Sequence, residues 1–395
     1  MAPLWKGSKT MKFAIMESVM TPGGHEIDYD RILVEELQAL GHEVVFYVPE
    51  GHAFCHEYGV PVHTLSGAGV SYGSIRGIRK WGLAIKREWR RRGWYHQLLE
   101  AAKRREFDAV IFPSATYRYL RGLRKSRLLQ SPVPLLFLIH GLTPEEAGRL
   151  QEQAQQVAAY PMVRIGVQTF APEAFAGKGE SNISYFPPPS YLPRDIQPQP
   201  LRLAPEELKL GFFGQYRREK KLDEFLELYL SCQFSRPVNL LVQGATANDA
   251  DAADFERLIA QYKDQPGLEF LHQPLIGKDW QAALDSVDVL MMPYGAPRYR
   301  YHTSAMLSNA IGHQRPVIIS DIVNPEVLRK FPMGEVFPNG DWEALRQVME
   351  RFVNEYDSKA ASYAAALDEA YAWYAPRRLA AAIVEMAQKG AALRA

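Results

Sequence analysis

A polar, basic loop followed by a helix is the part of the sequence best suited to bind an anion. In the segment from Tyr294 to Glu326, Thr303 and Ser304 directly precede an apolar helical stretch. Free backbone N–H groups and the positive end of the helix dipole favour a phosphate at such a helix start. The loop also supplies three basic side chains, namely Arg298, Arg300 and His302. The segment therefore predicts a site for a phosphate-bearing ligand.

A second group of cations follows an apolar strand in the middle of the chain. The strand ends at Gly214, and the residues just after it include four cations: Arg217, Arg218, Lys220 and Lys221. Arginine can clamp a diphosphate with two parallel hydrogen bonds, and lysine adds a compact charge. A solvated basic turn is the alternative, but such turns do not usually follow a buried strand of a parallel sheet. The pattern favours ligand binding.

Two weaker candidates lie in the first half of the chain. Gly23 and Gly24 follow the first predicted strand, and glycine permits positive φ and close approach of the backbone to a ligand. A tight turn that needs glycine is the alternative. His140 ends the apolar run PLLFLIH, so it lies at the edge where doubly wound sheets bind ligands. A satisfied, partly buried histidine explains it equally well.

Strands alternate with amphipathic helices along the chain, which predicts an α/β protein with parallel sheets. We predict strands at 12–16, 43–48, 109–112, 135–139 and 163–167 in the first half, and at 208–213, 238–242, 268–271, 287–292 and 316–319 in the second. Helices are predicted at 28–40, 222–229, 252–262, 280–283, 342–356, 358–372 and 377–392. The carboxyl ends of these strands would carry the candidate residues.

A length of 395 residues predicts two domains. At least six prolines lie between Phe186 and Pro205, and prolines on this scale cannot continue a helix or a central strand. This segment is predicted to be a semi-rigid connector. We place the N-terminal domain at 11–190, the C-terminal domain at 206–375 and a final helix at 376–395.

Composition excludes several classes of protein. Apolar residues make up 47% and charged residues 23%, as in soluble globular proteins, and the net charge of +1 argues against a nucleic-acid partner. Cys55 and Cys232 are the only cysteines and lack metal-ligand spacing, so we predict no metal site and a reducing, cytoplasmic location. The N-terminus lacks the apolar run of a signal peptide, and no stretch is long enough for a membrane span.

One region is nevertheless strongly basic. About sixteen Lys or Arg and about four acidic residues lie between Arg76 and Arg127. Four aromatic residues are interleaved with these cations: Trp81, Trp89, Trp94 and Tyr95. A basic helix with interfacial aromatic residues suits an anionic membrane surface, whereas a solvated helix face or, less well, a nucleic-acid site are the alternatives. We predict a peripheral contact with the inner face of the membrane.

With these elements in order, the chain resembles a GT-B glycosyltransferase of the retaining family 4 group. The stretch FFGQYRREKKLDEFLEL is similar to that family's donor loop, and SNAIGHQRPVIISDIVNPEVL is similar to its segment around PVI. The run PGGHEIDYDRILVEELQALGHEV resembles the usual GT-B opening. The resemblance implies two Rossmann-like domains facing a central cleft, with the acceptor on the first, a nucleotide-sugar on the second and a last helix returning to the first.

The resemblance also implies roles for individual residues. It assigns His140, Lys220 and Arg217 to catalysis and His25 to the acceptor side. It assigns the donor to Gly23, Gly24, Gly214, Gln215, Arg218, Tyr301, Thr303, Ser304 and Asn309. The family's phosphate-binding arginine falls on Gln215, a departure for which Arg217 or Arg218 can substitute. Its two glutamates fall on Tyr301 and Asn309, and an asparagine can still hydrogen-bond a ribose hydroxyl.

The implied function is transfer of a sugar from a nucleotide-sugar to a carbohydrate or lipid-linked acceptor. The resemblance implies retention at the anomeric carbon, no metal or other cofactor, and a role in envelope polysaccharide or glycoconjugate synthesis. The two missing carboxylates leave alternatives open. These are a catalytically silent relative that binds a nucleotide-sugar or a partner, and a nucleotide-sugar epimerase.

Overall fold

The computed structural model describes residues 10–18, 26–52, 59–70, 78–175 and 182–392, which form two parallel β-sheets. The strands of the first sheet are β1 Lys12–Met16, β2 Glu43–Glu50, β3 Val62–Ala68, β4 Ala109–Phe112, β5 Leu135–His140, β6 Val163–Gln168 and β7 Ile183–Phe186. Those of the second are β8 Leu208–Phe212, β9 Val238–Gly244, β10 Leu268–His272, β11 Val289–Met292, β12 Val317–Ser320 and β13 Gly334–Phe337.

Helices cover both sheets. In the first half they are α1 Glu26–Ala39, α2 Ile78–Lys103, α3 Tyr117–Leu123 and α4 Pro144–Val157. In the second half they are α5 Leu222–Ser231, α6 Asp249–Tyr262, α7 Gly277–Asp285, α8 Ala305–Gly312, α9 Glu326–Lys330, α10 Trp342–Trp373 and α11 Pro376–Ala392. Within the described ranges, none is both long and apolar enough to cross a lipid bilayer.

The strand order places a ligand crevice in each half. The first sheet runs β3-β2-β1-β4-β5-β6-β7 and the second β10-β9-β8-β11-β12-β13. In each sheet the winding reverses beside its first strand, between β1 and β4 and between β8 and β11. Doubly wound sheets bind ligands beyond the strand carboxyl ends at this reversal. The expected pair of Rossmann-like domains is confirmed.

Alternation along the strands explains why helices lie on both faces of the first sheet. Ala14 and Met16 pack with α2, α3 and α4, whereas Phe13 and Ile15 pack with α1 and α11. Successive strand side chains point to opposite faces, so an uninterrupted apolar strand must be covered twice. Helix α11, the last of the chain, therefore completes the core of the first sheet.

The structure corrects the predicted elements in two respects. The helices predicted at 342–356 and 358–372 are one continuous helix, α10, because no glycine or proline interrupts them. Strands β3, β7 and β13 were not predicted. All three are edge strands, and β3 alternates exposed and buried residues and contains Gly67, so it lacks the apolar run that marks a central strand.

Candidate active site

A cleft of about 440 Å³ is lined by both halves of the chain. The first half contributes Ile27, Asp28 and His140. The second half contributes residues that follow the carboxyl ends of β8, β9, β10 and β11, together with the start of α8. The cleft therefore lies at the position where doubly wound sheets bind ligands.

Lys220 is the buried cation of this cleft, with 6% of its surface exposed. Its Nζ lies 3.5 Å from the Phe213 carbonyl oxygen and 4.8 Å from the centre of the Tyr294 ring. Burial, reinforced by the nearby charges of Arg217 and Arg298, lowers the pKa of Lys220 to about 7. A bound phosphate would supply the counter-charge that favours the protonated lysine.

Two arginines line the cleft beside Lys220. The Arg217 guanidinium donates a hydrogen bond to Gln215 Oε1 at 2.7 Å and lies 3.8 Å from Glu219. Arg298 pairs with the same Glu219. Gln215 itself lines the cleft, so the residue at the family's arginine position helps to orient Arg217. The result is a wall of three cations from two separate loops.

Gly214 lies two residues beyond the end of β8 and leads into this wall. Its φ of +105° lies in a backbone region that residues other than glycine rarely adopt. Its N–H donates to Gln243 Oε1 at 3.0 Å, and the Gln243 amide donates in turn to the Gln273 carbonyl at 2.6 Å. The cation loop is thus fixed to the neighbouring strands at its first residue.

The start of α8 forms the next part of the cleft, with Thr303, Ser304, Ala305 and Met306 in its lining. Ser304 caps the helix, because its Oγ accepts from the Leu307 N–H at 3.3 Å. The Ser304 hydroxyl is therefore engaged in the cap. For anion binding, α8 instead provides its first-turn N–H groups, which have no acceptor within the helix, and the positive end of its dipole.

Asn309 and Tyr301, the two positions of the missing carboxylates, differ in placement. Asn309 is buried and lines the cleft; its Nδ2 donates to the Ala305 carbonyl at 3.0 Å, while Oδ1 has no hydrogen-bond partner among the described residues. Tyr301 is 42% exposed and does not line the cleft. Of these two positions the structure therefore brings only Asn309 to the predicted donor site, because Tyr301 follows the 3-10 helix Pro297–Arg300 and its own side chain is exposed.

Arg218 also departs from its predicted role. Its guanidinium binds Asp254 at 2.9 Å and 3.1 Å, and 77% of its side chain is exposed. It does not line the cleft. Arg217 and Arg218 are neighbours in sequence, but the turn that they enter directs the first toward the cleft and the second toward α6.

The first half of the chain forms the opposite wall. His140 Nε2 lies 2.8 Å from the Pro113 carbonyl oxygen, so this nitrogen carries the proton, and the ring meets Tyr29 edge to face at 4.6 Å. Asp28 is 5% exposed, and its Oδ1 has no hydrogen-bond partner among the described residues. Burial raises the pKa of Asp28 to about 7, although Arg31 and the Gln281 amide oppose the rise.

The two walls meet at a backbone contact between Gly141 and His302. Gly141 has a φ of +76°, and a Cβ there would lie 2.4 Å from the Tyr301 carbonyl oxygen. The His302 Nε2 lies 3.1 Å from the Glu146 carboxylate. Only glycine allows this approach, so the joint fixes the loop before α8 against the first half of the chain.

Several lining residues were not predicted. Pro274, Leu275, Ile276 and Trp280 form an apolar end of the cleft. Their position after the predicted strand at 268–271 is the signal that could have found them.

Asp28 was assigned only to a helix, because its sequence pattern does not distinguish a cleft side chain from a solvated one. Gly23, Gly24 and His25, like Arg76, lie outside the described residues.

Comparisons with known proteins agree with this architecture. Residues 207–355 match the family model of group 1 glycosyl transferases. No curated protein sequence matches the chain.

Solved structures are similar over almost the whole chain. Sucrose-phosphate synthase from Thermosynechococcus elongatus has a TM-score of 0.68 and 16% identity, covering 96% of this chain and 98% of that protein. Trehalose 6-phosphate synthase from Burkholderia multivorans has a TM-score of 0.66 and 12% identity, with coverage of 98% and 100%. Anabaena HepE, crystallised with UDP and glucose, has a TM-score of 0.64 and 13% identity, with coverage of 95% and 98%. The chain therefore has a GT-B fold, and residues 207–355 of its second half match the group 1 glycosyl transferase domain.

Proposed function

We propose that the protein transfers a sugar from a nucleoside diphosphate sugar to a carbohydrate or lipid-linked hydroxyl group, with retention and without a metal ion, in glycoconjugate or envelope polysaccharide synthesis. The observation that carries the proposal is the buried Lys220, which shares one cleft with Arg217, Arg298 and the start of α8. Buried cations and helix N-termini together are suited to a diphosphate.

The two ends of the cleft suggest how the donor lies. The diphosphate would contact the cation wall, and the flat base would pack on the apolar end formed by Pro274–Ile276 and Trp280. Asn309 also lines the cleft, and its Oδ1, which has no hydrogen-bond partner among the described residues, would accept a hydrogen bond from a ribose hydroxyl. Because HepE was crystallised with UDP, a uridine diphosphate sugar is the first donor to test.

The sugar would then face the opposite wall, where His140 and Asp28 lie. When the bond between the anomeric carbon and the diphosphate breaks, negative charge builds on the leaving phosphate. Preorganised cations and N–H groups stabilise that charge without reorganisation during the reaction, and this supplies the catalytic effect without a metal. The proposal that the anomeric configuration is retained rests on the resemblance to the family 4 group.

Calorimetry with UDP, GDP and ADP, followed by transfer assays with the matching labelled sugars and a panel of glycan acceptors, tests the proposal. We expect one nucleotide to bind and its sugar to appear on an acceptor with the anomeric configuration retained. Binding without turnover would support a silent relative instead. Release of a free, epimerised sugar would support an epimerase, and inhibition of transfer by EDTA would contradict metal independence.

A further inference from the structure

Helix α2 exposes a row of large apolar side chains away from the cleft. Trp81, Ile85 and Trp89 are 76%, 63% and 65% exposed, the highest values for large hydrophobic residues in the described part of the chain. They are spaced four residues apart, so they fall within about 80° on one side of the helix. Leaving so much apolar surface in water is costly unless a partner covers it.

This row is distinct from the aromatic residues that the sequence grouped with it. Trp94 and Tyr95 are buried in the core of the first sheet, and the Trp94 ring N–H donates to the Gly67 carbonyl at 3.1 Å. They stabilise α2 against the sheet. The second half of α2 is thus held against the sheet. The exposed row lies on the protein surface and is not part of the core.

Exposed cations lie on α2 itself and on the helix packed beside it. Arg92 lies on the same side of α2 and Lys86 beside it, and both are exposed. Helix α3, which packs beside α2, and the turn after it add further exposed cations: Arg118, Arg121, Arg124, Lys125 and Arg127. None of these seven has a carboxylate within 4.0 Å among the residues that the structure describes.

We propose that the α2 outer face, formed by Trp81, Ile85, Trp89 and Arg92, docks on an anionic lipid surface together with the cations of α3. Tryptophan suits the boundary between head groups and acyl chains, and basic residues are attracted to anionic head groups. A helix with an apolar row and a basic surround lies in the interface plane. Binding of such a helix strengthens with the apolar area that it buries and with its attraction to anionic lipids, and the α2 outer face offers both.

The position of the α2 outer face fits access to the cleft. Helix α2 follows β3 in a parallel sheet, so its first turns lie near the carboxyl edge of the strands, and the cleft lies at the same edge. A membrane bound there would present lipid-linked hydroxyl groups near the acceptor side. The docking itself does not depend on the donor, so it can be tested separately from the proposed transfer.

Flotation of the full chain with phosphatidylcholine vesicles, with and without about 30% phosphatidylglycerol, tests this docking. We expect binding only to the anionic vesicles, loss of binding in about 0.5 M NaCl, and a blue shift of tryptophan fluorescence on binding. Trp81→Ser combined with Trp89→Ser should lower the partition coefficient at least tenfold. Arg92→Glu should lower it roughly fivefold or more.

Matched controls come from exposed residues elsewhere. Leu203→Ser removes another exposed apolar side chain, and Lys263→Glu reverses another exposed charge, so neither should change vesicle binding. Circular dichroism shows whether each variant is folded. UDP calorimetry is a separate measurement, and failure of UDP to bind to a folded protein would count against the donor proposal alone. Absence of binding to anionic vesicles at low salt, or equal binding by the double tryptophan variant, would overturn the docking. Retention by duplex DNA without vesicle binding would assign the surface to nucleic acid instead.

Discussion

The two walls of the cleft each bury one ionisable group, and the two groups differ in what a bound anion would do to them. On the wall from the second half, burial and neighbouring cations lower the pKa of Lys220 to about 7. On the wall from the first half, burial raises the pKa of Asp28 to about 7. Near neutral pH each group is therefore about half ionised in the free protein. A diphosphate would restore the charge of Lys220 and favour a neutral Asp28.

This contrast assigns different tasks to the walls. On the cation wall, a bound diphosphate supplies the negative charge that Lys220 lacks as a partner in the free protein. The opposite wall avoids placing a fixed negative charge in the same cleft as a diphosphate. A carboxyl group held neutral can also donate a hydrogen bond to a sugar or acceptor hydroxyl.

The largest expected effect comes from Lys220→Met, which keeps the length of the side chain and removes its charge. Turnover should fall about 10²- to 10³-fold, because one preorganised donor to the leaving phosphate is lost. The thermal midpoint should stay equal or rise, since a buried amine is removed. Lys221→Met is the matched control, because Lys221 is exposed and pairs with Glu224. Similar turnover in both variants would show that the cation wall does not act on the phosphate.

Asp28→Asn tests the opposite wall through stability. The pKa of Asp28 is raised on folding, so the folded protein holds this proton more tightly and its stability falls as pH rises from about 4 to about 7. The variant should therefore be more stable than the parent by roughly 4 kcal/mol at pH 8 and nearly unchanged near pH 4. Thermal unfolding at the two pH values measures this.

Asp254→Asn should have the opposite sign. Hydrogen bonds from Arg218 and Tyr216 hold the pKa of Asp254 at about 2, so its ionised form stabilises the fold and the variant should lose stability at pH 8. If Asp28→Asn also lost stability at pH 8, the carboxyl of Asp28 would be stabilised in its ionised form and the two walls would not differ as described.

The pH dependence of UDP affinity provides the third test. Above about pH 7 the free protein holds Lys220 mostly neutral, so binding of an anion must take up a proton. Affinity should fall up to tenfold per pH unit between about pH 8 and 9, where the terminal phosphate of UDP is already ionised. Calorimetry in buffers of different ionisation enthalpy should show proton uptake, to which both Lys220 and Asp28 contribute. Lys220→Met should lower that uptake by up to one proton, and an unchanged uptake in this variant would assign the proton to another group.

The fold was largely predictable from the sequence because the central strands are apolar on both faces. The resulting runs around β1, β4, β5 and β8 mark their positions with little ambiguity. The unpredicted strands β3, β7 and β13 are edges, where one side of the backbone and part of the surface meet solvent. Edge strands need less apolar character, so their signal is weaker.

Part of the site was predictable, because residues that follow the carboxyl end of a strand in a parallel sheet lie at the edge where ligands bind. Gly214 and Lys220 reach the cleft because they lie in the loop after β8, and Asn309 reaches it because it lies in α8, whose start lines the cleft. Asp28 was missed, because its contact with the cleft depends on how closely the two halves approach. That approach rests on Gly141, whose need for glycine is visible only when the opposing Tyr301 carbonyl is known.

Arg217 and Arg218 give the smallest and most local test of the comparison. Arg217 lines the cleft beside Lys220, whereas Arg218 is bound to Asp254 on the outside of the same turn. Arg217→Ala should weaken UDP binding about tenfold, the value of one charge-assisted contact to phosphate, and Arg218→Ala should change it less than twofold. Each variant is the control for the other, since both remove an arginine from the same turn. Equal losses would mean that the turn rearranges on binding and brings Arg218 to the phosphate, so the cation wall would extend beyond the residues that now line it.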